Sequence, residues 1–151
     1  MHTYQARVMG VWLPFIVAGV VLGQGAGIEW EILNEEALDL QRAGRYDRAL
    51  LVAKKALEVA EKNVGRDHPD VVVSLNTLVG LYVEQGLYAQ AEPLCERALA
   101  IKENTLPIDH PSIAASLNIL AGLYHVQGKY GQAEPLYKNV FHKVTFPGLR
   151  R

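Results

Sequence analysis

One cysteine, five histidines and sixteen carboxylates are the groups through which this 151-residue chain could do nucleophilic, metal or acid–base chemistry. Cys95 is the only thiol, so no disulfide can form within the chain and a cysteine-built zinc centre lacks a second sulfur. A thiol nucleophile needs a base in contact with it. Cys95 instead falls in an apolar helical stripe, and the residues 42 positions before and after it are Ala53 and Tyr137. That is the setting of a buried, inert thiol. His68 and His110 also stand 42 residues apart, in loops. Two ligands without a third or fourth do not build a metal site. Glu35-Glu36 and Glu29-Trp30-Glu31 read as solvated helix faces. The chain has no glycine-rich phosphate loop, no Gly-x-Ser-x-Gly and no His-Glu-x-x-His. The expectation is a protein with no catalytic residue, no metal, no cofactor and no small-molecule substrate. An enzyme using Cys95 is the weakest competing class.

The elements that hold these groups follow from an internal repeat. Leu75 to Leu94 reads LNTLVGLYVEQGLYAQAEPL, and Leu117 to Leu136 reads LNILAGLYHVQGKYGQAEPL; fourteen of twenty letters match. Gly44-Arg45-Tyr46, Gly86-Leu87-Tyr88 and Gly128-Lys129-Tyr130 keep the same step of 42 residues. So do Leu33, Leu75 and Leu117, then Asn34, Asn76 and Asn118, and His68-Pro69 with His110-Pro111. A repeat of this length is a supersecondary unit that buries its apolar face only by stacking on its neighbours.

Each unit reads as two helices. Leu75, Leu78, Val79 and Tyr82 recur at i, i+3, i+4 and i+7, as do Leu117, Leu120, Ala121 and Tyr124. The first unit has Leu33, Ala37 and Leu40, with Trp30 a turn earlier. Glu36 replaces the leucine there, as suits an outermost helix. Gly44, Gly86 and Gly128 end these first helices, since glycine tolerates the left-handed conformation past a helix end. The second helices carry Tyr46, Ala49, Ala53, Ala56, Leu57 and Ala60, then Tyr88, Ala91, Cys95, Ala98 and Leu99. Pro69 and Pro111 suit a first helical turn. Pro93 and Pro135 fall inside the second helices, so those helices either start late or bend. Val140-Phe141, Pro147 and Gly148 cut the third unit short, and Phe141 and Phe146 are expected to fold back as a cap.

Residues 1–25 have a different character. Arg7 is the only charge before the uncharged run Val8 to Leu22, and small residues follow. This is the layout of a secretory signal peptide, with a cut after Gly25. An uncleaved membrane anchor through residues 8–22 is the runner-up, and a buried core helix the third reading. The run of 15 residues is shorter than the roughly 20 that span a bilayer. The expected organisation is a signal segment or anchor over 1–25, a helical repeat domain over 29–143 and a tail over 144–151. The expected location is outside the cytoplasm, periplasmic or secreted, with a membrane-anchored form as the alternative. A formal net charge of −1 leaves no basic footprint for nucleic acid.

The repeated residues resemble the tetratricopeptide repeat (TPR), in the 42-residue form of kinesin light chains. The resemblance rests on Gly-x-Tyr-x-x-Ala at each turn, ending in Ala49, Ala91 and Ala133. It rests also on Ala56-Leu57 and Ala98-Leu99, the Asp-His-Pro loops and the Leu-Asn openings. It implies an all-α, short right-handed α-solenoid of about two and a half helix-turn-helix units. It also implies a scaffold that binds a protein or an extended peptide in a groove lined by the first helix of each unit. Carried onto this chain, the groove holds Asn34, Gln41, Arg42, Asn76, Gly80, Glu84, Asn118, Gly122 and His125, beside Leu38, Val83 and Val126. The asparagines would grip a peptide main chain through donor and acceptor together. The glycines would let that main chain come close. The alternative for the asparagines is structural, as inward bonds that fix helix spacing. The alternative function is a truncated piece of a longer array that self-associates.

Overall fold

The computed structural model describes residues 25–145, which form six helices and no strand. They are α1 (Gly25–Arg42), α2 (Tyr46–Val64), α3 (Val71–Glu84), α4 (Tyr88–Thr105), α5 (Pro111–Val126) and α6 (Tyr130–Thr145). Each helix packs on the next, and α1 also reaches α3. The chain is therefore three stacked hairpins, α1–α2, α3–α4 and α5–α6. The apolar run over residues 8–22 lies outside the described residues, as do Phe146, Pro147 and Gly148. Among the described residues no helix is long and apolar enough to cross a membrane.

The tight turns follow from the glycines. Gly44, Gly86 and Gly128 have φ of 71°, 71° and 73°. Just past each glycine, an N–H returns to a carbonyl five residues back: Arg45 to Leu40, Leu87 to Tyr82 and Lys129 to Tyr124, at 2.8–2.9 Å. This is a Schellman closure, and it needs the left-handed glycine. Pro111 is the first residue of α5, whereas Pro69 lies in the turn two residues ahead of α3. His110 caps α5, its ring Nδ1 accepting the Ser112 N–H at 3.2 Å, and His68 Nδ1 accepts the Asp70 N–H at 3.3 Å. The two histidines are thus parts of helix starts. Pro93 and Pro135 sit inside full-length helices that begin at Tyr88 and Tyr130, so the helices do not start late. Each proline forgoes one backbone bond and keeps its ring at the exposed surface.

The core matches the apolar stripes and adds a second set. Leu75, Leu78, Val79, Leu117, Leu120, Ala121 and Tyr124 are buried, with the alanines Ala49, Ala53, Ala56, Ala91 and Ala98. Leu81 and Leu123 are buried as well, at 0% and 3% exposure. They mark a second face: α3 lies between α2 and α4, and α5 between α4 and α6. Two residues depart from expectation. Tyr46 is exposed at the outer edge of α2. Phe141 is 66% exposed and does not fold back as a cap.

Candidate functional site

The first helices α1, α3 and α5 place the expected groove residues in three registers one repeat apart. Asn76 and Asn118 are exposed, each directly after a fully buried leucine, Leu75 or Leu117. Their amides are therefore held on a rigid scaffold but left facing solvent. Asn34 is different. It is 6% exposed, its Oδ1 accepts the Ser74 hydroxyl at 3.2 Å, and its Nδ2 donates to the Trp30 carbonyl at 2.9 Å. Ser74 in turn accepts the Trp30 indole N–H at 2.8 Å. Asn34 is thus removed from the groove and ties α1 to α3, so the expected three-asparagine ladder is a pair.

The repeat explains why only Asn34 turns inward. Trp30 has Val72 and Ala114 as its counterparts, which offer no donor. Ser116, the counterpart of Ser74, is engaged by Lys102 Nζ at 2.7 Å. The residue matching Lys102 one unit earlier is Ala60, so Ser74 is left available to Asn34.

Gln41 and Glu84 meet across the first two hairpins, the Gln41 Nε2 donating to the Glu84 carboxylate at 2.9 Å. Gln41 Nε2 also lies 3.7 Å from where a Cβ on Gly80 would stand, so part of the space over this glycine is covered from α1. The space at Gly122 is approached by the Tyr137 hydroxyl, 4.0 Å from a Cβ. Either glycine has room for a methyl group at ordinary contact distance. Arg42 pairs with Asp39 at 2.9 Å on the exposed surface. His125 stands edge-on to Tyr130, with ring centroids 5.2 Å apart. The face therefore offers amides and one carboxylate, and its one arginine is already paired.

Polar contacts between hairpins were not legible in the sequence. The Tyr124 hydroxyl donates to Glu96 at 2.5 Å. Burial first, then that bond, pushes the Tyr124 pKa up. Glu92 accepts from Gln127 at 2.9 Å and from Lys129 at 2.6 Å. The Lys129 bond holds the Glu92 carboxyl below its ordinary range against the opposing effect of burial. Arg97 reaches back to Glu61 at 2.5 Å and to the Arg66 carbonyl. These pairs join non-equivalent positions 28 to 37 residues apart, so the 42-residue step does not reveal them. The signal was present only as Tyr82 recurring at Tyr124 and Glu92 at Glu134.

The thiol is sequestered, whereas His68 and His110 are exposed at helix starts. Cys95 is 4% exposed, and burial raises its pKa to about 11. Two base–hydroxyl contacts are present: Lys102 with Ser116, which is 3% exposed and gives a substrate no access, and His110 Nδ1 with the Ser112 hydroxyl at 2.9 Å, an exposed pair at the start of α5. Among the described residues no cluster of three His, Cys, Asp or Glu side chains is placed to hold a metal.

Stacked helical hairpins closed by left-handed glycines define an α-solenoid repeat protein. Residues 31–104 and 75–140 match the tetratricopeptide repeat family, and the chain belongs to it. The fold is that of kinesin-light-chain-like solved structures. A Podosopora anserina protein of nearly identical TPR-like repeats, described as a kinesin light chain, superposes with a TM-score of 0.66 at 28% identity. That match covers 80% of this chain and 56% of the other. BtubC (BKLC) from P. vanneervenii gives 0.69 at 23% identity, over 85% and 52% of the two chains, a likeness of fold. Two curated relatives are each 32% identical over 85 residues. They are the secreted RxLR effector protein RXLR-C07 of Plasmopara halstedii and the RxLR effector protein SFI4 of Phytophthora infestans. The match takes in 56% of this chain and about a quarter of theirs, 26% and 25%.

Proposed function

We propose that this protein is an exported interaction module that holds an extended peptide or a protein surface along the groove face of α1, α3 and α5, without chemistry of its own. The observation that carries this reading is the pair Asn76 and Asn118. Both are exposed, repeat-equivalent and set on helices whose other faces are buried. An exposed amide on a rigid element offers a peptide bond both a donor and an acceptor. Two amides one repeat apart grip a main chain at two points. The acid and amide lining, with Arg42 engaged by Asp39, favours a partner segment without strong negative charge. Export is supported by the signal-like layout of residues 1–25 and by the description of one relative as secreted.

Panning a displayed random-peptide library on the full chain tests the reading. Peptides are expected to enrich, and an Asn76→Ala/Asn118→Ala variant with an unchanged thermal melt is expected to lose them. Retention of the same peptides by the variant would place binding elsewhere. Mass measurement of the protein recovered from an exporting host tests the cut after Gly25.

A further inference from the structure

The two ends of the stack are chemically unlike. On α3 and α5, the face that meets the preceding hairpin carries Val71, Leu78 and Leu81, then Ile113, Leu120 and Leu123, all buried. The same three positions on α1 are Glu29, Glu36 and Asp39, all exposed. Three apolar residues have become three carboxylates, so α1 closes its end of the stack against water.

The other end has the reverse character. On α4, Ala91, Cys95 and Leu99 are covered by α5. Their counterparts on α6 are Ala133, Tyr137 and Phe141. Tyr137 and Phe141 are larger than the residues they replace, and are 39% and 66% exposed. With Tyr130 and His125 they line a cavity of about 460 Å³.

We propose that this face is covered by the same face of a second copy, α6 against α6, in a closed two-fold dimer. Head-to-tail stacking is ruled out by charge, because it would bury Glu29, Glu36 and Asp39 of one copy under the aromatics of the next. A like-on-like contact avoids those carboxylates and closes on itself. The helix is also self-complementary when antiparallel. With the two-fold axis crossing the exposed face at the level of Leu136, whose own side chain packs on the core, Glu134 stands opposite the partner's Lys138, and Lys138 opposite the partner's Glu134. Phe141 then stands opposite Gly131, where a Cβ would find nothing within 4 Å. The counterparts of Gly131 are Asp47 and Ala89, so the glycine is specific to this end. Glu134 and Lys138 are 67% and 74% exposed and bond within their own helix at 2.5 Å, which leaves both able to reach across. The contact does not use Asn76 or Asn118, the residues that carry the peptide reading, so the variants below test it apart from that reading, although His125 borders both faces.

Sedimentation of the full chain across a concentration series, with variants, is the test. Wild type is expected to dimerise and Phe141→Glu to be monomeric with an unchanged helical spectrum. Glu134→Lys and Lys138→Glu are each expected to weaken the dimer about tenfold or more, since each places like charges at two symmetric contacts. The double reversal is expected to restore it. A monomeric wild type would overturn the proposal, as would an assembly that survives Phe141→Glu, the pattern expected if residues 1–24 drove it. Failure of the double reversal to restore association would overturn the antiparallel register.

Discussion

Cys95 is a gauge of the seam between the second and third hairpins. Its thiol packs among Leu99, Leu117 and Leu120, and burial, opposed by the charge of Lys102, raises its pKa from 9.0 to about 11. At pH 8 a thiol at the ordinary value is about one-tenth ionised and the buried one about one-thousandth, so ionisation alone slows alkylation about 100-fold. Enclosure slows it further, because reagent enters only when the seam opens. Leu120→Ala removes a buried side chain from that seam and costs about 2–5 kcal/mol. If the third hairpin unstacks as a unit, even the lower figure raises the open population about 25-fold, and labelling accelerates by the same factor. Leu33→Ala makes a comparable loss in α1, at the far end of the stack. A solenoid passes stability only between neighbours, so this variant should leave Cys95 labelling close to wild type. The assay is iodoacetamide labelling of the native protein at pH 8, followed by mass. Equal acceleration by the two variants would mean that the three hairpins open together, and would refute the local-seam reasoning. Wild-type labelling at the rate of a free thiol would refute the burial itself.

Three further outcomes follow from single contacts. Glu92 has a lowered folded pKa, so its contribution is present above its ordinary value of 4.5 and is lost as pH falls through the folded value. Urea melts of wild type and Glu92→Gln should therefore differ at pH 7, and the difference should shrink as pH falls below 4.5. The Nε2 of Gln85 is buried without a partner. Gln85→Leu should raise stability by about 1 kcal/mol in the same melts, and an unchanged or lower value would show that the amide is satisfied in solution. Arg97 and Glu61 are both about three-quarters buried at 22% and 24% exposure. Arg97→Ala should cost about 1.5–3 kcal/mol, and a loss within error would make the bridge one of the many ion pairs that contribute nothing.

Most of the architecture was legible because a repeat states its pattern several times. The 42-residue step located the three glycine turns, and the i, i+3, i+4, i+7 stripes located most of the buried positions of each inner first helix, on the sides toward its own second helix and toward the preceding hairpin. The second buried face, with Leu81 and Leu123, was not legible as a separate stripe. An inner helix that packs on two sides is apolar over most of its circumference, and periodicity loses contrast there. The candidate site was legible as a set of positions but not as a set of orientations. Asn34, Asn76 and Asn118 are identical in type and register, yet only Asn34 turns inward. The deciding residues are Trp30 and Lys102, neither of which belongs to the repeat pattern.

The two seams use different contacts although they share a fold. At the second seam, Glu92 and Glu96 on α4 receive Gln127, Lys129 and Tyr124 from the α5 side. At the first, the corresponding positions on α2 are Leu50 and Lys54. Leu50 offers no acceptor, and this accounts for the unpartnered amide of Gln85, the counterpart of Gln127. Lys54 cannot accept the Tyr82 hydroxyl as Glu96 accepts that of Tyr124; its ammonium lies 5.9 Å from the Tyr82 ring centroid instead. The first seam is joined by the Arg97–Glu61 ion pair, by Gln41 to Glu84 and by the Trp30–Ser74–Asn34 bonds, with this cation–π contact beside them, whereas the second gathers its bonds on Glu92 and Glu96. At the second seam the Lys129 bond holds the Glu92 carboxyl below its ordinary range, so protonation of Glu92 removes a contact that joins α4 to the third hairpin.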